Sequence, residues 1–370
     1  MRKNGKVAAV LSGMGEERKD RIFVRFAGDI KFRKVSERHL KGQEQGGKME
    51  GENRENFEVR TDLALEEKES FEGKGGEISG VSLKEWIHRK SQVKLTEVKI
   101  LNEQGAAAMG KPVGTYLTLE ADRLSKADDD YHSQISDELA VQIRRLTGGR
   151  RPASVLVAGL GNSSVTPDSL GPRVVGNLQV TRHLKEQYGN GFLEERRLPE
   201  ISGIAPGVMA QTGMETAEIL KGLIGEIHPD LVIAVDALAA RSVRRLGTTI
   251  QLTDTGIHPG SGVGNHRHSL TGESLGIPVL AIGVPTVVGA AAIVHDTVSA
   301  LVRVLAENES TRGTGSWIEE MDSEEQYQLI RELLEPEFGP LYVTPPDIDQ
   351  SVKQLSFTIS EGIHRALFPA

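Results

Sequence analysis

Two aspartates stand where apolar segments of the chain give way to loops. Asp168 lies in GLGNSSVTPDSLGP (159–172), just after the run SVLVA, and Asp236 ends LVIAVDA. Ligands and chemistry in doubly wound sheets gather at the carboxyl ends of strands. Two neighbouring carboxylates can share one proton, because both cannot ionise cheaply. One then serves as base towards a water, and the other as acid or electrophile. The alternative for either aspartate alone is a helix N-cap, a position that Asp favours. Two of them at one sheet edge point to joint function.

A second group of chemistry-bearing residues lies in LTDTGIHPGSGVGNHRH (252–268), which holds Asp254, His258, His266 and His268 among several glycines. Glycine-rich loops of this length often line active sites. His258 has two open readings. It is a metal ligand with Asp168 and Asp236 supplying oxygens, a donor set suited to zinc or nickel, or it is a hydrogen-bonding loop histidine. No H-x-x-x-H spacing accompanies it. The triplet Asp254-Thr255-Gly256 matches that of pepsin-like peptidases. Those need an all-β context and two copies or a dimer, whereas this chain has one copy in an α/β pattern. NHRH (265–268) reads as a solvated turn. Ser242 has no G-x-S-x-G elbow around it, and His295 sits on an apolar helical stretch where packing is its ordinary role.

The glycines after SVLVA do not make a dinucleotide loop. After Gly159 and Gly161 the third position of G-x-G-x-x-G is Ser164, and Asp168 beside a helix start would repel phosphate.

These residues need elements to hold them. SVLVAGL (154–160), PDLVIAVDAL (229–238), TTIQLTD (248–254) and PVLAIGVP (278–285) read as strands, and QVKLTEVKIL (92–101) and TYLTLEA (115–121) as two earlier ones. Helices are expected over 135–149, with a serine N-cap and Glu138 nearby in a capping-box-like position, and over 168–185, 214–227, 290–307, 323–336 and 347–368. Strands alternating with helices predict an α/β fold with a doubly wound, mostly parallel sheet flanked by helices. Its core spans 151–308, with a small N-terminal β/α region and C-terminal helices. The stretch FEVRTDLALEEKESFEGKGGEISG (57–80) reads as polar with a short apolar island.

Composition narrows the class. The 370 residues carry a net charge of −8. Up to Lys48 there are 13 Lys and Arg against 6 Asp and Glu, so the remainder is strongly acidic. An acidic body argues against general nucleic-acid binding. There is no apolar run of about 18 residues to span a membrane. The chain has no cysteine, which excludes thiol nucleophiles and cysteine metal sites and fits a reducing interior. No signal-peptide pattern opens it. Residues 1–56 have the composition of a linker, and Met49 is an alternative start of translation.

Several motifs in order, VAGLGNSSVTPDSLGP, TRHL, APGVMAQTGMET, PDLVIAVDALAARS, DTGIHPGSGVGN, IGVPTVV and YVTPPDID, resemble the germination protease family of spore-forming bacteria. The resemblance runs from about Phe57 to near the C-terminus. It implies a sandwich related to the hydrogenase-maturation peptidases, and an intracellular, atypical aspartic endopeptidase that degrades small acid-soluble spore proteins at germination. It further implies a homotetramer, a location in the forespore and spore core, and no resident cofactor. The family's two aspartates fall on Asp168 and Asp236, with Asp254 and His258 as supporting candidates. The metal site of the hydrogenase-maturation relatives keeps His258 in question.

Family members are made as zymogens that remove their own propeptide. The family's substrate pattern is matched by RTDLALEE (60–67), through Thr61, Asp62, Leu63, Ala64 and Glu66. Self-cleavage is therefore expected between Asp62 and Leu63. That divides the chain into a propeptide and basic extension, 1–62, and one peptidase domain, 63–370. The basic segment before Met49 has no family counterpart, and 308–322 is short for the family. The rival readings are a metal-dependent peptidase of the hydrogenase-maturation type and a non-catalytic nucleotide-binding or chaperone module.

Overall fold

The computed structural model describes residues 61–72, 78–121, 124, 129–149, 151–189, 191–259, 268–307, 323–338 and 340–369. The basic extension and expected propeptide up to residue 60, His266 and the 308–322 stretch lie outside the described residues.

One mixed sheet organises these residues. Its strands are β1 (Val81–Ile87), β2 (Lys94–Ile100), β3 (Gly114–Glu120), β4 (Ser154–Gly159), β5 (Glu200–Ile204), β6 (Leu231–Ala240), β7 (Thr249–Thr253), β8 (Val279–Gly289) and β9 (Tyr342–Val343). Their order is β1-β2-β3-β7-β8-β6-β4-β5, with β9 pairing the end of β8. β5, β4, β6 and β8 run parallel. From β8 outward, β7, β3, β2 and β1 pair antiparallel and form a wing. The α/β core expected from the alternating pattern is thus present, and the N-terminal strands extend it edgewise. β4, β6 and β8 are nearly continuous apolar runs because both faces of a parallel sheet are covered.

Helices α1 (Ala64–Glu72) and α2 (Glu103–Met109) belong to the wing, where Ala64 and Met109 pack on Val98, Ile100 and Tyr116. Helices α3 (Asp129–Leu146) and α4 (Leu170–Gly176) cover one face of the sheet, through Ile135, Leu139, Ile143, Leu170 and Val174. After α5 (Arg182–Tyr188), α6 (Thr216–Ile227) and α7 (Gly272–Leu275) cover the opposite face over Leu156, Ala158, Val232 and Ala234. α8 (Ala290–Glu307) packs on α9 (Ser323–Phe338) beyond β8. α10 (Ile348–Leu367) returns to the first face beside α3 and α4. Its buried Val352, Leu355, Ile359, Ile363 and Ala366 follow helical spacing.

Three local expectations are corrected. α3 begins at Asp129, so Ser136 is not its cap. Buried inside the helix, Ser136 donates its hydroxyl to the His132 and Thr358 carbonyls and helps tie α3 to α10. The helix expected over 168–185 is a 3₁₀ turn followed by two helices with a break between them. α10 makes the break stable. Ser356 accepts from the Asn177 side chain, Ser360 donates to the Asn177 carbonyl, and Nε2 of His364 accepts from the Gln179 amide. Backbone groups that would have continued a helix are satisfied by tertiary partners instead. Finally, the polar stretch after Phe57 contains α1, anchored by Leu63, Ala64 and Leu65, all buried.

Candidate active site

The site begins where neighbouring strands end at different heights. β4 stops at Gly159, opposite Val235, and the Leu160 amide donates to the Val235 carbonyl at 2.8 Å. β6 continues to Ala240. Asp236 is therefore inside its strand but beyond the end of its neighbour, at a step in the sheet edge. It is 5% exposed, and its Oδ1 accepts from the Ala237 amide at 2.9 Å. A residue within a strand is not a helix cap, which removes the capping alternative for Asp236.

Asp168 comes from the loop that leaves β4. It ends the 3₁₀ turn Thr166–Asp168, whose Pro167 fixes one backbone dihedral. Its Oδ2 accepts from the Asn162 amide at 2.8 Å, upstream in the same loop. Gly161 has φ +108°, and a Cβ there would stand 2.1 Å from the Asp168 carbonyl oxygen. The loop can fold back on Asp168 only with glycine at this position. Next to it, a Cβ on Gly171 would meet the Leu160 and Val235 carbonyls at 2.4 Å. The missing side chain lets α4 seat directly on β4 and β6. The 3₁₀ turn that carries Asp168 thus lies against β6, the strand that carries Asp236.

The row of paired residues that includes Asp236 continues through Gly283 of β8 to Gln251 of β7. Paired residues share a face, so Asp236 and Gln251 are on one side of the sheet with glycine between them. The segment carrying the expected cleavage point lies on this side. The Asp62 amide donates to the Ala239 carbonyl at 3.0 Å, and Oδ2 of Asp62 accepts from the Ala239 amide at 2.8 Å. Leu63 is fully buried against Leu238, Ala240 and Ile257. Oε1 of Gln251 accepts from the Ala64 amide at 2.8 Å. The Asp62 carbonyl accepts from Nζ of Lys111 and Nε2 of Gln251, both at 3.2 Å.

Glu66 anchors the segment further along. It is 4% exposed and accepts from the Arg241 amide at 2.7 Å, the Ser242 amide at 3.0 Å and the Thr61 hydroxyl, with Nε of Arg245 at 4.0 Å. Burial raises its pKa above the ordinary value, against the pull of the Thr61 hydroxyl, the two amides and Arg245. Arg245 also pairs with Glu69 and Glu120. Ser242 enters here through its backbone amide.

The other sequence candidates separate. Asp254 is exposed, and its Oδ1 accepts from the Thr115 amide at 2.8 Å, tying β7 to the start of β3. His258 lies where the chain returns past Ile257. Its side chain is exposed, but partial desolvation by its neighbours, then the Lys111 charge, holds its pKa below the ordinary value, with the Asp62 carboxylate opposing. The structure thus groups His258 with Asp62 and Lys111. His268 is exposed, 3.9 Å from Glu215, as a solvated turn would have it. His295 is buried edge-on to Tyr327. Among the described residues no three His, Cys, Asp or Glu side chains converge as a metal site would need, and no helix is long and apolar enough to cross a membrane.

Sequence reasoning missed Lys111, Gln251 and Arg245. Gln251 had a visible signal, a polar side chain inside the apolar strand TTIQLTD. Lys111 had none, because α2 and its cap at Gly110 (φ 58°) deliver it to Asp62 from 49 residues away.

Fold and site together define an α/β protein with Asp236 at a step in its sheet edge, Asp168 on a turn against the same strand, and an N-terminal segment docked on the far end of that strand. Comparison with known proteins makes the assignment specific. Residues 57–316 match the family model described as germination protease. A germination protease from Caldanaerobacter subterraneus subsp. tengcongensis is 51% identical over 312 residues, covering 84% of this chain and 94% of that protein. The germination protease of Bacillus subtilis is 39% identical over 348 residues, covering 84% and 93%. The chain belongs to the germination protease family. A solved NiFe hydrogenase maturation protease from Thermococcus kodakarensis is similar over 39% of this chain and 80% of its own, at 20% identity and a TM-score of 0.25.

Proposed function

We propose that this chain is a zymogen endopeptidase that degrades small acid-soluble spore proteins at germination, and that it removes its own N-terminal segment by cutting between Asp62 and Leu63. In this reading Asp168 and Asp236 share a proton. The ionised carboxylate takes a proton from water as the water attacks the peptide carbonyl, and the protonated one delivers its proton to the departing nitrogen. The peptidase domain then runs from Leu63 to the C-terminus, acts as a homo-oligomer in the spore core, and needs no cofactor.

The observation that carries the reading is the docking of residues 61–66. A segment resembling the family's substrate pattern is pinned by backbone and side-chain bonds on both sides of the expected cleavage point, on the face of the sheet that holds Asp236. Pinning of this kind converts a loose encounter into an oriented one.

The test is digestion of a purified small acid-soluble spore protein by the processed chain, before and after dialysis against a chelator. The expected result is endoproteolysis at an unchanged rate after dialysis. Absence of digestion, or activity lost to the chelator and restored by one metal, contradicts the reading.

A further inference from the structure

We infer that Lys111 and Gln251 form the oxyanion cradle for the Asp62–Leu63 bond, an inference that rests on the self-cleavage reading above. The Asp62 carbonyl oxygen is the atom that becomes negative when water adds to the carbonyl carbon. It already accepts from two donors at 3.2 Å, the Lys111 ammonium and the Gln251 side-chain amide. Donors aimed at a developing oxyanion stabilise the transition state more than the ground state, and do so most where water is excluded. Leu63 is fully buried beside them.

The two donors are mounted differently. Gln251 is buried in β7, and its amide spans the bond. Nε2 donates to the Asp62 carbonyl while Oε1 accepts from the Ala64 amide at 2.8 Å. This double engagement fixes the amide orientation. Lys111 leaves the capped end of α2 and brings a full positive charge. The leaving nitrogen, that of Leu63, meanwhile donates to the Thr61 hydroxyl at 3.1 Å.

The step balances as simple hydrolysis. Water adds to the Asp62 carbonyl carbon, and the carbonyl electron pair moves onto the oxygen held by Lys111 and Gln251. The tetrahedral species collapses with loss of the C–N bond. The products are the main-chain carboxylate of Asp62 and the Leu63 ammonium, whose nitrogen has taken up both protons of the water.

The experiment uses the full chain and follows the appearance of a Leu63 N-terminus, together with hydrogen-exchange protection of the Ala64 amide as a measure of docking. Lys111→Met is expected to slow cleavage about 100-fold, a typical cost of one lost oxyanion donor, with the Ala64 amide still protected. Lys111→Arg restores most of the rate. Gln251→Glu keeps an acceptor for Ala64 but replaces the donor with a carboxylate, and slows cleavage at least as much. Cleavage at the wild-type rate in both Lys111→Met and Gln251→Glu, while Asp236→Asn is inert, overturns the cradle and leaves the carboxylate reading standing. Slowing that only parallels lost Ala64 protection also overturns it, since that is the behaviour of a docking contact. A wild-type chain that never opens this bond overturns both readings.

Discussion

The parallel half of the sheet and its antiparallel wing contribute unlike things to the proposed site. In the parallel half, apolar strands buried on both faces carry Asp236, and a glycine-spaced turn brings Asp168 against them. In the wing and along the joint with it, Gln251, Lys111 and Arg245 hold residues 61–66 by hydrogen bonds and charge. On the proposed reading the first region supplies the proton chemistry on a stiff mount. The second offers binding groups and the peptide itself. The contrast suggests that chemistry and substrate positioning in this fold can be perturbed separately.

The largest separation is expected from Asp168→Asn. It should lower cleavage of a spore protein by roughly 10³-fold, the scale of general acid–base catalysis, while leaving the thermal midpoint nearly unchanged. A variant with near-normal turnover, or one that unfolds, erases the distinction.

Glu66 tests the other side. Glu66→Ala strands two backbone amides and leaves the buried Arg245 less compensated, at a cost of about 3 kcal/mol. It should lower stability and leave residues 61–66 accessible to an added protease. Glu66→Gln isolates the charge. Burial holds the Glu66 pKa above its ordinary 4.5, so the folded chain binds this proton more tightly than the unfolded chain does. Stability from this group is complete below pH 4.5 and declines as pH rises through the folded-state pKa. The thermal midpoint of wild type minus that of Glu66→Gln should therefore fall as pH is raised from 4.5. A difference that is flat or rises with pH contradicts the burial argument.

The smallest effect sharpens the joint between the regions. By NMR titration His258 should protonate below its ordinary 6.5, because partial desolvation and Lys111 both disfavour its charged form. Lys111→Met should raise that midpoint and Asp62→Asn should lower it further. A midpoint indifferent to both would separate His258 from the Asp62–Lys111 group.

The two regions also differed in how far the sequence disclosed them. β4, β6 and β8 were legible because burial on both faces demands unbroken apolar runs, and α8 and α10 because their apolar stripes keep helical period. The break between α4 and α5 was not legible, since Ser356, Ser360 and His364 satisfy that backbone from the far end of the chain. β1 escaped because it is an edge strand with little buried surface. Asp168 and Asp236 could be named from strand–loop grammar, whereas Lys111 could not, as only the tertiary path of α2 brings it to Asp62. Asp254 shows the converse. An aspartate in a suggestive triplet turned out to hold the Thr115 amide at the β3–β7 joint.

The central claim is that the carboxylates of the parallel half open a peptide bond held by the wing. It is tested most directly by N-terminal sequencing of the full-length chain and its Asp236→Asn variant after the same incubation. The account predicts a new N-terminus at Leu63 for the wild type and an uncut, folded Asp236→Asn chain. A Leu63 N-terminus appearing in Asp236→Asn at the wild-type rate would contradict it.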